Sequence, residues 1–90
     1  MNLRQLSQFV ALAETGNFHR AAERLHMAQP PLSVSIRKLE EELGSPLFER
    51  TTTGVVLTPA GEAMLGDACF VLFHAQQCRH PAHGRAGQGR

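Results

Sequence analysis

The residues with the clearest chemical potential lie in the segment 29–38, where amide, hydroxyl and basic side chains alternate with apolar ones. A glutamine such as Gln29 can form two hydrogen bonds with adenine, and the methyl groups of Val34 can pack on the methyl group of thymine. Arg37 and Lys38 carry the positive charge that suits DNA phosphates. These side-chain types suit contacts with duplex DNA, and they form no catalytic arrangement. The candidate residues in this segment are Gln29, Pro30, Ser33, Val34, Arg37 and Lys38.

An apolar stripe on the opposite face is predicted to anchor the helix that presents these residues. At about 100° per residue, the side chains of Ile36, Leu39 and Leu43 fall within about 40° of Leu32. A recognition helix enters the major groove with its N-terminal end towards the bases. The segment 29–34 would therefore meet base edges, and the acidic run 40–42 would point out of the groove. A solvated surface helix shows the same pattern, so the stripe alone leaves both interpretations open.

A short hairpin is predicted after this helix, and its side chains are also candidates for DNA contact. Two strand-like runs, 47–50 and 55–57, flank a threonine run that ends at Gly54, which favours a turn. Arg50, at the base of the hairpin, is either a surface charge or a residue that binds phosphate or enters the minor groove. The hydroxyls of Thr51, Thr52 and Thr53 fit solvent-facing strand positions and phosphate donors equally well.

The remaining boundaries predict three further helices around these elements. Gly16 ends a first periodic apolar segment, and Asn17 offers the N-cap of a short second helix. Pro30 suits the first turn of the third helix, and Thr58 followed by Pro59 opens a fourth helix. This order predicts a mainly α winged helix-turn-helix fold, with a three-helix core and a two-stranded β-wing, followed by a linker or dimerisation helix. The predicted divisions are a DNA-binding domain at 1–58, the linker helix at 59–76 and a disordered tail at 77–90.

Length and charge narrow the class of protein further. A chain of 90 residues has room for one small domain, and its net charge is +1. Residues 1–67 hold six Lys and Arg against eight acids, so DNA binding would depend on where the basic side chains point.

No apolar run could span a bilayer, and the N-terminus lacks the apolar core of a signal peptide, which predicts a cytoplasmic protein without membrane contact. No phosphate-binding glycine loop, nucleophile elbow or helical metal motif occurs, so neither a cofactor nor enzymatic activity is expected.

Two segments of the chain closely resemble the LysR-type transcriptional regulators. They read LRQLSQFVALAETGNFHRAAERLHMAQPPLSVSIRKLEEELGSPLFER and LTPAGEAML, and the resemblance covers about residues 1–67. It implies a protein that binds promoter DNA as a dimer or tetramer, with the fourth helix antiparallel to its partner's. It also implies that DNA faces the positions of Gln29, Pro30, Pro31, Ser33, Val34, Arg50 and Thr53. On the fourth helix, the candidate dimer residues are Met64, Leu65, Ala68, Val71, Leu72 and Ala75.

The chain departs from the family pattern in two ways. Val34 stands where relatives often have a long polar or basic residue, and Thr53 stands where they often have arginine, so a potential DNA contact is lost at each position. The family also continues into an effector-binding domain, so no small-molecule effector site is expected in this chain. The segment from residue 69 onwards lacks the family's Ala/Leu/Glu-rich linker repeat, which predicts a truncated or frame-altered end.

Two other functions remain open on the sequence. One is a zinc site, because the C-terminal part holds five potential ligands: Cys69, His74, Cys78, His80 and His83. Of these, only His74 and Cys78 would share a helical face, and the two cysteines are expected to be reduced. The other is an interaction fragment that pairs with a full-length relative through its apolar fourth helix, without useful DNA affinity.

Overall fold

The helices and strands begin and end close to the residues that the sequence marks as boundaries. The computed structural model describes residues 2–77, and their elements are α1 (Leu3–Thr15), α2 (Phe18–Leu25), α3 (Gln29–Leu43), β1 (Phe48–Arg50), β2 (Val55–Leu57) and α4 (Pro59–Gln77). The two strands form one antiparallel sheet. The predicted winged helix-turn-helix with a linker helix is thereby confirmed. α4 reaches one residue beyond its predicted end, and the rest of the predicted tail lies outside the described residues.

Short polar side chains cap the starts of α1, α2 and α4. Asn2 and Asn17 each accept a hydrogen bond from the backbone N–H three residues later, at 2.8 Å and 3.0 Å. The hydroxyl of Thr58 accepts the N–H of Gly61 at 3.0 Å. Each bond satisfies a donor that has no partner within the helix. α3 has no side-chain cap, but prolines in its first turn lack the N–H groups that would need one.

Residues in the left-handed conformation end α1, α2 and α3. Gly16 and Gly44 have φ angles of 68° and 73°, which glycine adopts without a steric penalty. His26 ends α2 with a φ of 57°, and its N–H donates to the carbonyl of Glu23 at 3.1 Å. The chain then enters α3 after only two more residues, so α2 and α3 are joined by the tight turn of a helix-turn-helix.

The core lies between the helices and the start of the wing. Its largest fully buried side chains are Phe9, Leu12, Leu32, Leu39 and Leu47. The predicted anchor stripe of α3 is confirmed for Leu32, Ile36 and Leu39, which are at most 4% exposed. It is wrong for Leu43, which is 42% exposed. Leu43 is the last residue of α3, and a projection onto one helix face does not show where the packing partners stop.

Backbone contacts fix the wing to the turn between α1 and α2. The N–H of Val55, at the start of β2, donates to the carbonyl of Gly16 at 2.9 Å. A Cβ atom on Gly54 would overlap the same carbonyl oxygen. The wing therefore reaches the α1–α2 turn only because residue 54 has no side chain.

An acidic side chain near the end of α3 supports the start of the wing. One carboxylate oxygen of Glu40 accepts the N–H of Leu47 at 2.8 Å and that of Phe48 at 3.2 Å. These bonds satisfy backbone groups in the segment that leads into β1. The prediction that the run 40–42 points out of the DNA groove thus missed an internal partner for Glu40.

α4 packs along α1 and against β2. Ala68 is 1% exposed within this contact, and a Cβ atom on Gly61 would overlap the carbonyl oxygen of Leu47. Away from the contact, Phe70 and Phe73 are 65% and 47% exposed. Across residues 2–77, none of the helices combines the length and apolarity needed to traverse a bilayer.

Candidate nucleic-acid interface

The first two turns of α3 present an exposed edge above a buried face. Gln29, Pro30 and Pro31 are exposed, and Val34 is 43% exposed. Leu32, between them, is fully buried. The arrangement expected from the apolar stripe, with a protruding leading edge, is therefore present in the folded chain.

A cleft between α3 and the wing collects two of the predicted basic residues. Ser33 and Arg37 line it from α3, and Arg50 lines it from the end of β1. The guanidinium carbon of Arg50 lies 5.1 Å from the centroid of the Phe18 ring, a cation–π distance. This contact holds the Arg50 charge beside the cleft, where it joins Arg37 and the hydroxyl of Ser33 as groups that suit a phosphate. Glu40 also lines the cleft, with one carboxylate oxygen bound to backbone N–H groups at the start of the wing.

Lys38 faces a different groove from the cleft that Arg37 lines. It lines a second groove together with Arg4 and Val34, between α3 and the start of α1. The two neighbouring basic residues of α3 therefore point into different grooves. The structure separates them, whereas the sequence placed them together as phosphate contacts.

The threonines at the tip of the wing have different roles. The hydroxyl of Thr51 accepts the N–H groups of Thr53 and Gly54 at 3.3 Å and 3.1 Å. The backbone N–H of Thr51 donates to the carbonyl of Gly54 at 2.8 Å. Thr51 thus shapes the turn with its own side chain. Thr52 and Thr53 are exposed at the tip.

His19, on α2, contacts the start of α3. It was not among the site residues predicted from the sequence. Nδ1 of His19 lies 3.3 Å from Nε2 of Gln29, and Nε2 of His19 lies 3.3 Å from Oε2 of Glu23. His19 and Glu23 are one helical turn apart, and this spacing in the sequence is enough to predict that their side chains interact. The contact with Gln29 depends on how α2 and α3 cross, and no local pattern predicts it.

A buried glutamine ties α3 to α1 behind the exposed edge. Gln8 is 6% exposed, and its carbonyl oxygen accepts a hydrogen bond from the hydroxyl of Ser35. Its amide nitrogen approaches the sulfur of Met27 at 3.7 Å. Because a buried amide without partners is costly, this network favours one position of α3 relative to α1.

The predicted dimer residues of α4 do not all lie on an available face. Ala68 is 1% exposed and belongs to the core of the single chain, so it offers almost no surface to a partner. Met64, Leu65 and Leu72 are partly buried against that core, and Val71 is 42% exposed. One face of α4 packs on α1. The sequence does not indicate which face this is, because α4 is apolar on nearly every side. The side chain of Ala75 lies outside the described part.

The ligands of the alternative zinc site are mostly beyond the described residues. Cys69 and His74 lie on α4 and are exposed, while Cys78, His80 and His83 fall in the segment after residue 77. Among residues 2–77, no group of three or more His, Cys, Asp or Glu side chains is placed to hold a metal ion.

The tight α2–α3 turn, the exposed edge of α3 and the adjoining two-stranded wing define a winged helix-turn-helix domain. Residues 3–62 match the family described as bacterial regulatory helix-turn-helix protein, lysR family. The chain belongs to this family, as its sequence motifs predict.

Individual relatives align over almost the whole chain. The HTH-type transcriptional regulator BudR of Klebsiella aerogenes is 51% identical over 86 residues, which cover 96% of this chain and 60% of BudR. The HTH-type transcriptional regulator ClcR of Pseudomonas putida is 54% identical over 94 residues, which cover 100% of this chain and 32% of ClcR. The similarity thus extends past residue 67, where the sequence motifs predicted it to end. These relatives are named as regulators, in agreement with the expected non-enzymatic function.

Solved structures of similar domains include complexes with DNA. The CbnR DNA-binding domain bound to DNA superposes with a TM-score of 0.83 at 44% identity, covering 91% of this chain and 94% of that one. The BenM DNA-binding domain bound to benA site 1 DNA superposes with a TM-score of 0.84 at 44% identity, covering 89% of this chain and 93% of that one.

Proposed function

We propose that the chain is a sequence-specific DNA-binding module of a transcription regulator, with duplex promoter DNA as its partner. One observation carries the proposal: the leading edge of α3 is exposed, while Leu32, Ile36 and Leu39 are buried beneath it. The exposed residues of this edge are Gln29, Pro30, Pro31 and Val34. Such an edge can enter a major groove without rearrangement of the domain. Support comes from the similar CbnR and BenM domains, whose structures contain DNA.

Different residues contact the bases and the phosphates of the DNA. Gln29 and Val34, at the leading edge, read base edges through the amide and the methyl groups. Arg37 and Arg50 bind phosphate beside the α3–wing cleft, and Lys38 binds phosphate beside the groove between α3 and the start of α1. The tip of the wing, at Thr53, reaches the backbone or the minor groove. Pro30, Pro31, Ser33 and Thr51 complete the proposed DNA-facing set.

Selection from random duplex DNA, with the full 90-residue chain, tests this function. Enrichment of one motif and protection of that motif in a footprint would support the proposal. Equal affinity for all sequences would contradict sequence-specific binding. The upstream region of the protein's own gene is a suitable first natural target.

We propose further that the chain forms a homodimer through the exposed side of α4, with a tetramer possible in a longer form of the protein. Phe70, Val71 and Phe73 are at least 42% exposed on that helix, and such apolar groups favour burial against a partner. The cytoplasm is the proposed location, in keeping with a DNA-binding regulator.

Sedimentation alongside a mobility-shift assay separates this function from that of an interaction fragment. A dimer that shifts its selected DNA supports the regulator module. A dimer that binds no DNA would support the fragment that pairs with a relative. The double variant Phe70→Glu, Phe73→Glu should shift the population towards monomer. The matched exchange Leu43→Glu, at an exposed leucine of α3, should leave it unchanged.

A further inference from the structure

Three side chains form a hydrogen-bonded chain that ends at the proposed base-reading glutamine. Glu23 and His19 are one turn apart on α2, with 3.3 Å between the carboxylate oxygen and Nε2 of the imidazole. The other ring nitrogen of His19 lies 3.3 Å from the amide nitrogen of Gln29. The chain therefore runs from Glu23 through both nitrogens of His19 to Gln29.

When the imidazole is neutral and Glu23 is ionised, the chemistry of the three groups gives each hydrogen bond a direction. An ionised carboxylate only accepts, so Nε2 of His19 carries the proton that it donates to Glu23. In a neutral imidazole, the other nitrogen is then an acceptor. Nδ1 of His19 consequently accepts one of the two N–H groups of Gln29.

This arrangement decides what Gln29 can offer to a base. With one N–H group bound to His19, the amide has one N–H group and its carbonyl oxygen left. Adenine presents one acceptor and one donor in the major groove, which matches that pair, whereas guanine presents two acceptors. An amide that is free to turn can direct both of its N–H groups at guanine.

We propose that His19 is a positioning residue that makes Gln29 select adenine over guanine. The inference rests on the proposed function, because it requires Gln29 to face a base. His19 and Glu23 have side chains that are 67% exposed, so water competes for their hydrogen bonds in the free chain. Docking against DNA excludes part of that water and strengthens the restraint. The expected effect is therefore on base discrimination rather than on the stability of the fold.

The experiment measures competition between two duplexes that differ at one position, A·T against G·C. The position is the one at which Gln29→Ala relaxes the preference of the chain. The unmodified chain should favour adenine by about tenfold, which is within the range for a good bidentate contact. His19→Ala should reduce the ratio to about twofold while keeping most of the affinity for random DNA.

A second variant tests the assignment of the protons. Glu23→Gln replaces an obligate acceptor by an amide that can also donate to His19, so Nδ1 is no longer required to accept from Gln29. Its adenine-to-guanine ratio should fall although Glu23 itself makes no contact with Gln29. The double variant His19→Ala, Glu23→Gln should match His19→Ala alone. His26→Asn removes the other histidine of this region at a left-handed position that asparagine tolerates, and it should leave the ratio unchanged.

Each contrary outcome has a distinct meaning. If Gln29→Ala relaxes one position but His19→Ala leaves the ratio intact, the inference fails and the proposed function stands. If His19→Ala weakens binding equally to both duplexes and to random DNA, His19 is a phosphate contact and the inference also fails. If the unmodified chain shows no sequence preference, the proposed function itself fails and the inference falls with it. Circular dichroism melting curves for every variant exclude loss of the fold as the cause.

Discussion

The guanidinium group of Arg50 rests against the Phe18 ring, with 5.1 Å between its central carbon and the ring centroid. α2 therefore supplies the surface on which an arginine of the wing is held. The wing and the helix-turn-helix are linked at this point by a side-chain contact, in addition to the backbone bond from Val55 to Gly16.

Phe18→Leu should weaken DNA binding without a change in sequence preference. Leucine retains apolar bulk but lacks the ring face that holds the guanidinium, a contact worth about 0.5–1 kcal/mol at exposed sites. The dissociation constant should rise by about two- to fivefold on specific and random duplexes alike. In the Arg50→Ala background, the same exchange should have no further effect. A full additional loss there would show that Phe18 acts through packing alone.

Gln29→Ala should relax the preference of the protein at a single base pair. Loss of a bidentate amide contact costs about 1–3 kcal/mol of discrimination. Competition binding against duplexes substituted at each position measures the change. Equal losses of affinity on selected and random DNA would assign Gln29 to anchoring rather than to base recognition.

Gly54→Ala should destabilise the fold, because the added methyl group would overlap the carbonyl oxygen of Gly16. Backbone shifts to relieve such overpacking cost about 1–3 kcal/mol. Urea unfolding measures the loss. Gly66→Ala in α4 is the matched control, since a Cβ atom there has no neighbour within 4 Å. That exchange should stabilise the helix by about 0.5–1 kcal/mol, and an equal loss from both substitutions would contradict the role given to Gly54.

Two leucines of α3 should respond differently to truncation. Leu39 is fully buried, so Leu39→Ala should lower the free energy of unfolding by about 2–5 kcal/mol. Leu43 is 42% exposed, so Leu43→Ala should change it by less than about 1 kcal/mol. Chemical denaturation of the two variants side by side measures the contrast. Similar losses would mean that Leu43 belongs to the core after all.

The salt dependence of binding should be modest. Arg37, Lys38 and Arg50 are the proposed phosphate contacts, and each neutralised phosphate contributes about −0.9 to the slope of log K against log salt. A slope of about −3 per bound protomer is therefore expected. Fluorescence anisotropy titrations between low and physiological salt measure it. A slope near −10 would reveal many more phosphate contacts than these three residues can make.

The sequence predicted correctly those features of the fold that depend on neighbouring residues within one helix or turn. Gly16, Asn17 and Thr58 mark helix ends through their own backbone and side-chain chemistry, so their positions follow from residue type and spacing. The exposed edge of α3 follows from the period of the stripe that contains Leu32 and Leu39. These features need no knowledge of how the helices pack.

The contacts that the sequence did not predict join residues of different helices and strands. Glu40 bonds to the start of the wing, and Gln8 bonds to a hydroxyl on α3. Ala68 lies inside the core because α4 turns that face towards α1, although its sequence is apolar on nearly every side. Helical periodicity cannot reveal such partners, because they are set by helix crossings rather than by the sequence within one element.

The wing is attached next to its turn by main-chain atoms: the N–H of Val55 donates to the carbonyl of Gly16, at a point where Gly54 has no side chain. Its tip at Thr52 and Thr53 takes no part in that attachment. Substitutions at the tip can therefore accumulate during evolution without weakening the anchorage. A lineage of such regulators can diverge in target preference there while every descendant keeps the same scaffold.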